Sequence, residues 1–296
     1  MGAQTTTILC GMVAISVASI AGQQGGRPME PAAPARAGAA QKPTAPQPSK
    51  RKDRQPDIAG FYQTSNTEGG SGGLNIEPLP NMMGTKRTSP GIVRDPPDGL
   101  IPYLPWARAR RDEVLNNQAH PNAAVVDTRT RGWPDGVPRI NFYYVNPFQI
   151  LQTDGAVIFL YEAQHEFRYV PLDGRPHADN AVKLWMGSSR GRWEGSTLVV
   201  DVRNISDRVR FSVMGDFASD ELKVTERWTW IDRNTVNYSA TLEDPKVFSR
   251  PWTAGMTIRR ITEPGYELME YSGVEGDRDA HLQVDISGTV KEQEKK

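Results

Sequence analysis

The segment Leu222 to Asp244, LKVTERWTWIDRNTVNYSATLED, sets a carboxylate among large apolar side chains. Strict alternation puts Leu222, Val224, Glu226, Trp228 and Trp230 on one face of a strand, and Lys223, Thr225, Arg227, Thr229 and Ile231 on the other. One face of an antiparallel sheet is buried, so Glu226 is predicted to point inward. An unpaired carboxylate there costs several kcal/mol, which leaves three states open to it: protonated, paired with a cation, or facing a solvated cavity. A paired Glu226 sets register and nothing more. One that lines a cavity is a candidate general acid or base, or the anchor for a ligand hydroxyl.

Two function classes follow from a Glu226 that faces a cavity. An enzyme needs a second titratable group, and Asp244 at the end of the partner strand and His165 are the candidates. That pair suits a cofactor-independent lyase, hydratase, isomerase or glycoside-acting protein. A binding protein needs polar anchors in an apolar wall. Here Arg168 joins Glu226, and Trp228, Trp230, Tyr238, Phe159 and Tyr169 supply the wall. Arg192 and Trp193 precede the run Thr197 to Val202, and Trp252 is placed to cap one barrel mouth. A third class, a structural protein at the cell surface, requires a filled interior.

Other chemistries find less support. His165, His177, Asp173 and Asp179 do not follow a metal-ligand spacing, so no metal is expected. The order Gly187, Ser188, Ser189, Arg190, Gly191 is not a nucleophile elbow, and no nucleotide loop is present, so no cofactor is expected. Thirty-five basic residues balance 35 acidic ones in 296, which removes the electrostatic case for nucleic acid.

The elements that must position these groups are short. From Phe148 onward, β-branched and aromatic runs alternate with turn signals: FQILQT, AVIFLY, FRYVPL, STLVVDV, RVRFSV, LKVTERWTWI, TVNYSATLED, TAGMTIRRI and YELMEYS. About nine strands without a long helix between them predict a mainly β fold, an antiparallel meander closed into a barrel. TDGA is read as a tight hairpin with Gly155 at positive φ, WEGS as a second, and LDGRP as a turn around Gly174. Pro105 opens one short helix, whose Val114 and Leu115 are expected to dock inward.

Residues 1–21 read as a signal peptide: an apolar stretch runs from Ile8 to Ile20, and Ser19 and Ala21 form a cleavage-like site before Gly22, although no Lys or Arg precedes the stretch. The stretch is too short to span a bilayer, so no stable membrane insertion is expected after processing. Cys10, the only cysteine, lies within it, so the processed chain would have no thiol, which suits a secreted or periplasmic protein. Residues 22–56 are Pro- and Ala-rich and read as a disordered linker. One β-rich domain is expected over 57–290, with a loop-rich covering segment at 57–146 and the barrel at 147–290, before a charged tail at 291–296. Nothing in the sequence fixes an oligomeric state.

DPPDGLIPYLPWARARRDE, GVPR, LDGRPH, GRWEGSTLVVDV, TERW and EDPKVFSRPWT together resemble an uncharacterised family of secreted bacterial proteins, over about Pro56 to Tyr271. The resemblance implies export and a shared fold and adds no reaction. The family pattern tends to have His where Ser188 stands and Asp where Ser196 stands, and a Cys before P-x-GVPR that this chain lacks. An activity carried by those residues would be lost or altered here. The strand meander is also similar to lipocalin-like barrels, which implies an enclosed apolar ligand; with Glu226 and Arg168 as hydrogen-bonding anchors, the binding reading covers a small apolar or sugar-like molecule in an internal cavity.

Overall fold

The computed structural model describes residues 47–51, 55–65, 76–78, 91–116, 127–142 and 147–271, all within the unit Lys42–Lys296. The expected signal peptide, most of the linker and the charged tail lie outside the described residues. Ten strands appear in chain order: β1 (Gly60–Thr64), β2 (Val93–Asp95), β3 (Phe148–Gln152), β4 (Ala156–Tyr161), β5 (Phe167–Pro171), β6 (Ser188–Glu194), β7 (Thr197–Arg203), β8 (Lys223–Trp230), β9 (Thr235–Glu243) and β10 (Trp252–Arg260). The one α-helix among the described residues is α1 (Pro105–Asn116).

The strands form one antiparallel sheet in the order β5-β4-β3-β1-β10-β9-β8-β7-β6, with β2 beside β1 on the edge of β10. The sheet curls into a nearly closed barrel in which β5 and β6 lie against one another. Its near-closure follows from counting. Nine strands that alternate in direction around a ring leave one neighbouring pair running the same way, and that pair is β5 and β6. No ladder joins them. Side chains close the seam instead: Arg168 of β5 donates from Nε to Ser189 Oγ of β6 at 2.9 Å. Gly191 of β6 passes under Val170 and Leu172, where an added Cβ would stand 2.7 Å from each.

The long hairpin obeys its alternation. In β8, Val224, Glu226, Trp228 and Trp230 are buried while Lys223 and Arg227 are exposed. In β9, Val236, Tyr238, Ala240 and Leu242 are buried, and Glu226 faces Ala240 across the pair. On β7, Leu198, Val200 and Val202 continue the same inner face opposite Trp228, Glu226 and Val224. Fully burying each large aromatic of this layer stabilises the fold by about 2–3 kcal/mol.

Several local expectations are corrected. RVRFSV is not a strand: it makes one bridge, Arg210 to Phe217, inside a covering segment that buries Phe211, Met214 and Phe217. YELMEYS makes only the bridge from Tyr271 to Ala163. Conversely, β1 and β6 are strands where loop or turn was expected, because sheet pairing overrides the weak β signal of Gly60 and of SSRGRWE. Gly195 and Gly174 have positive φ, 62° and 72°, but Gly155 does not. The β3–β4 turn is instead held by Thr153, whose backbone N–H donates to the Ala156 carbonyl at 2.9 Å and whose hydroxyl accepts from Ala156 N at 3.0 Å.

Helix α1 buries Ala107 and Arg111 rather than an apolar stripe, and Val114 and Leu115 are half-buried. Val114 rests on Gly215, where φ is +85° and a Cβ would come 2.4 Å from Val114 Cγ1. Charge holds this helix down. Glu77 accepts from Arg108 through both oxygens, at 2.9 and 2.8 Å, and Arg111 donates to Asp216 at 3.1 Å.

Candidate ligand site inside the barrel

Glu226 is fully buried and carries three hydrogen bonds from three different parts of the chain. Arg168 of β5, itself 2% exposed, donates from Nη2 to Oε2 across the barrel. Tyr238 of β9 donates its hydroxyl to Oε1 at 2.7 Å, and Asn141 donates its amide to the same oxygen at 3.1 Å. Asn141 ends a short 3-10 turn, Arg139–Asn141, which enters the barrel and is pinned there by Thr64 of β1, donating to the Asn141 carbonyl at 2.6 Å. The Tyr161 hydroxyl of β4 completes the chain by donating to Asn141 Oδ1 at 3.0 Å. Five side chains thus converge from β4, β5, β8, β9 and the entering turn.

The electrostatics keep both phenols neutral. Burial, reinforced by the Glu226 carboxylate, pushes Tyr238 well above its ordinary value, and burial raises Tyr161 against the opposing pull of Arg168. Burial lowers Arg168, but the charge and hydrogen bond of Glu226 together with the neighbouring Tyr161 and Tyr238 more than offset it, so the guanidinium is raised overall. The layer therefore holds one cation, one anion and neutral donors.

The donors are not all used. Arg168 Nη1 is buried and lacks an acceptor at full hydrogen-bonding geometry, while Tyr161 interacts with the same guanidinium both through its charge and as a side-chain hydrogen-bond partner. Trp228 Nε1 is also buried without an acceptor. Around them, aromatic rings make a continuous wall: Trp228 packs edge-on against Tyr238 at 4.6 Å and against Phe159 at 4.9 Å, and Phe148 meets Tyr161 at 5.4 Å.

Of the residues singled out in the sequence, Glu226, Arg168, Trp228 and Tyr238 are brought together, and Trp230 adjoins them on the same face of β8. Others stand elsewhere. Asp244 lies four residues beyond the Glu226 partner Ala240, roughly 13 Å along β9, and accepts from Ser219 N at 2.6 Å and Ser219 Oγ at 2.9 Å. His165 sits exposed in the β4–β5 turn with φ 53°, 3.9 Å from Glu270. Tyr169 is 48% exposed, because Arg168 and Val170 take the inner positions of β5 and alternation turns Tyr169 out. Arg192 lies on the outer wall with Glu194, Trp193 is half-buried against Trp230, and Trp252 packs between Phe211 and Phe248 at the end covered by the 204–222 segment. His177 braces the seam from outside: its Nδ1 meets the Ser188 carbonyl at 2.9 Å and its Nε2 meets Asp201 at 3.1 Å.

Asn141 and Ser189 were not singled out by the sequence. Both lie where no periodicity points inward, one in a turn and one beside the seam. Among the described residues, no group of three His, Cys, Asp or Glu side chains is arranged to hold a metal ion, and no helix is long and apolar enough to cross a membrane.

No family model matches the chain, and no curated protein does. Among solved structures, a mutant of the fluorescent protein UnaG is 17% identical, with 40% of this chain and 73% of that chain covered at a TM-score of 0.24. A likeness that slight carries no argument. The barrel rests on this chain's own strand pairing.

Proposed function

We propose that the protein is a secreted or periplasmic small-molecule-binding barrel whose ligand sits against Arg168, Trp228 and Tyr238. The observation that carries the reading is the convergence of Arg168, Glu226, Tyr238, Asn141 and Tyr161 inside an aromatic-walled barrel, where Arg168 Nη1 lacks an acceptor at full hydrogen-bonding geometry. Leaving such a donor unmatched costs about 1–3 kcal/mol, and buried polar groups without partners are few in folded proteins. Binding is preferred to acid–base catalysis because Glu226 already accepts from three donors. Its two candidate catalytic partners, Asp244 and His165, lie outside this layer.

Native mass spectrometry of the full chain purified from the cells that make it tests the reading. A constant added mass that co-purifies and is released on unfolding is the expected result. The bare chain alone, in repeated preparations, overturns it.

A further inference from the structure

We infer that a cleft on the outer wall, where β7 ends and β8 begins, binds a small hydroxylated carboxylate of the sugar-acid class. This site is separate from the barrel interior, and it stands or falls apart from the binding reading above.

The cleft encloses about 410 Å³, within the range of small-molecule pockets, which begins near about 300 Å³. Three stretches of chain wall it: Asn180 and Lys183 of the β5–β6 connection, Arg203 and Asn204 at the end of β7, and residues 220–223 leading into β8.

Two cations meet in it by register. Val202 of β7 pairs with Val224 of β8, so the next position along sets Arg203 opposite Lys223. Side chains directly opposed in an antiparallel pair start about 5 Å apart, and like charges so placed repel. The protein leaves both with charge to spend. Arg203 gives Nε and Nη2 to Asp201, at 2.8 and 2.9 Å, while its Nη1 makes no hydrogen bond to a described residue. Lys223 makes no ion pair with a described carboxylate, and Glu243, opposite it on β9, lines the adjoining cleft. Because Arg203 and Lys223 line one cleft, an oxyanion set between them accepts from Arg203 Nη1 and Lys223 Nζ together. Asp220 and Glu221 line the same cleft, each drawn to Lys246, and they oppose a second negative charge. A carboxylate therefore suits the site better than a phosphate dianion.

A buried amide supplies the other half of the recognition. Asn204, 5% exposed, donates Nδ2 to the carbonyls of Ala178 and Asp179 at 2.8 and 3.0 Å. Those two bonds settle which branch of the amide is the oxygen. Oδ1 takes no hydrogen bond from a described residue, and it is the branch left for the cleft that Asn204 lines. Such an oxygen accepts and never donates, so it asks for an O–H or N–H. Lys183 gives Nζ to the Asp220 carbonyl at 2.8 Å and keeps further protons for a hydroxyl oxygen. The apolar lining is Leu222 and Pro245, with no aromatic ring, so a flat aromatic acid finds nothing to stack on. A carboxylate at one end and hydroxyls along the ring meet each of these groups.

Glucuronate, glucose and cyclohexanecarboxylate share a six-membered ring and carry both groups, hydroxyls alone or the carboxylate alone. Titrated into the full chain by calorimetry, glucuronate is expected to bind about tenfold tighter than either of the others, the ratio that one net hydrogen bond confers. Lys223→Gln, at an exposed position without a partner, should bring glucuronate to the level of glucose. Asn204→Gly, which keeps the left-handed backbone, should bring it to the level of cyclohexanecarboxylate. No saturable binding of glucuronate, or glucuronate no tighter than both other probes, overturns the inference. Affinity unchanged in Lys223→Gln overturns it too, and so does glucose 6-phosphate binding tighter than glucuronate. Arg168→Met/Glu226→Leu should bind glucuronate as the unaltered chain does; loss of binding in that variant, with its circular dichroism unchanged, moves the ligand into the barrel and overturns the outer site alone.

Discussion

Two of the buried clusters of guanidinium and carboxylate in this protein differ in how completely they are used. Beneath α1, Arg108 and Arg111 face Glu77 and Asp216. Glu77 also accepts from Ile101 N at 2.7 Å, Asp216 accepts from Ser212 and from Tyr103 at 3.2 Å, and Arg108 donates to the Ile101 carbonyl at 2.7 Å. None of these side-chain atoms is buried without a partner. Inside the barrel, Arg168 and Glu226 are as deeply buried, yet one Arg168 nitrogen lacks an acceptor at full hydrogen-bonding geometry. A cluster that only fastens a helix is complete within the protein, whereas the inner one is complete on its anionic side alone. On the binding reading proposed above, that difference would separate a structural ion pair from a recognition group, where burial by itself does not.

The largest test of the comparison is Glu226→Leu, which strands a buried guanidinium and is expected to cost about 3–5 kcal/mol in urea unfolding. The double variant Arg168→Met/Glu226→Leu should regain part of that loss, because an apolar pair can replace a buried ion pair at little cost, although Tyr238 and Asn141 lose their acceptor. Arg111→Met/Asp216→Leu should recover less, since Glu77 stays charged and loses its contact with Arg111, while Ser212 and Tyr103 lose their acceptor as Tyr238 and Asn141 do at the inner site. Equal recovery at both sites breaks the comparison.

Next in size is a staple across the seam. Val170→Cys with Gly191→Cys, in a Cys10→Ser background, places the two Cβ atoms at most roughly 4 Å apart, within disulfide reach. Closing a loop of about twenty residues should add about 3 kcal/mol, measured with and without reductant. As a constraint on the unfolded chain it should add a similar increment in the Glu226→Leu and Glu77→Ala backgrounds, and a larger increment in Glu226→Leu would show that this variant loosens the seam. Glu77→Ala itself is expected to cost about 2 kcal/mol, since Arg108 can turn to solvent and Arg111 keeps Asp216.

The smallest effect is a pH control apart from both clusters. Burial, helped by the charge of Asp135, raises the Glu166 carboxyl from 4.5 to about 7. The folded state thus holds this proton more tightly than the unfolded chain does. Its contribution is full below pH 4.5 and is lost as pH rises to about 7, so stability should fall across that window. Glu166→Gln should flatten the slope and add about 1 kcal/mol at pH 8, a figure reduced for its partial exposure. A slope unchanged in the variant assigns the pH dependence to other groups.

Alternation made the inner face of β8 and β9 legible, and with it the orientation of Glu226, because one buried side imposes a period of two that Trp228, Trp230 and Tyr238 display plainly. The same rule left β5 ambiguous. Arg168 with Val170 and His165 with Phe167 each mix one polar group with apolar ones, and only the pairing with β4 decides which face turns in. Asn141 was illegible for a different reason. It reaches Glu226 from a 3-10 turn 85 residues upstream in the chain, and no local pattern encodes a contact between a turn and a distant strand. The strand β6 was hidden by its glycine and two arginines, whose place in the sheet comes from β7 and from the need for a thin residue under Val170.

The position of β1 constrains how the chain assembles. Tyr62 pairs with Arg260 on one side and with Phe148 on the other, so a segment made early must wait for one made nearly two hundred residues later. Until β10 has been synthesised, β1 can add only to β3, and the half-built sheet presents two open edges and a bare aromatic wall. Such distant pairing predicts slow maturation and an interval in which the nascent chain is vulnerable to aggregation, which would favour holding it unfolded until its last strand is available.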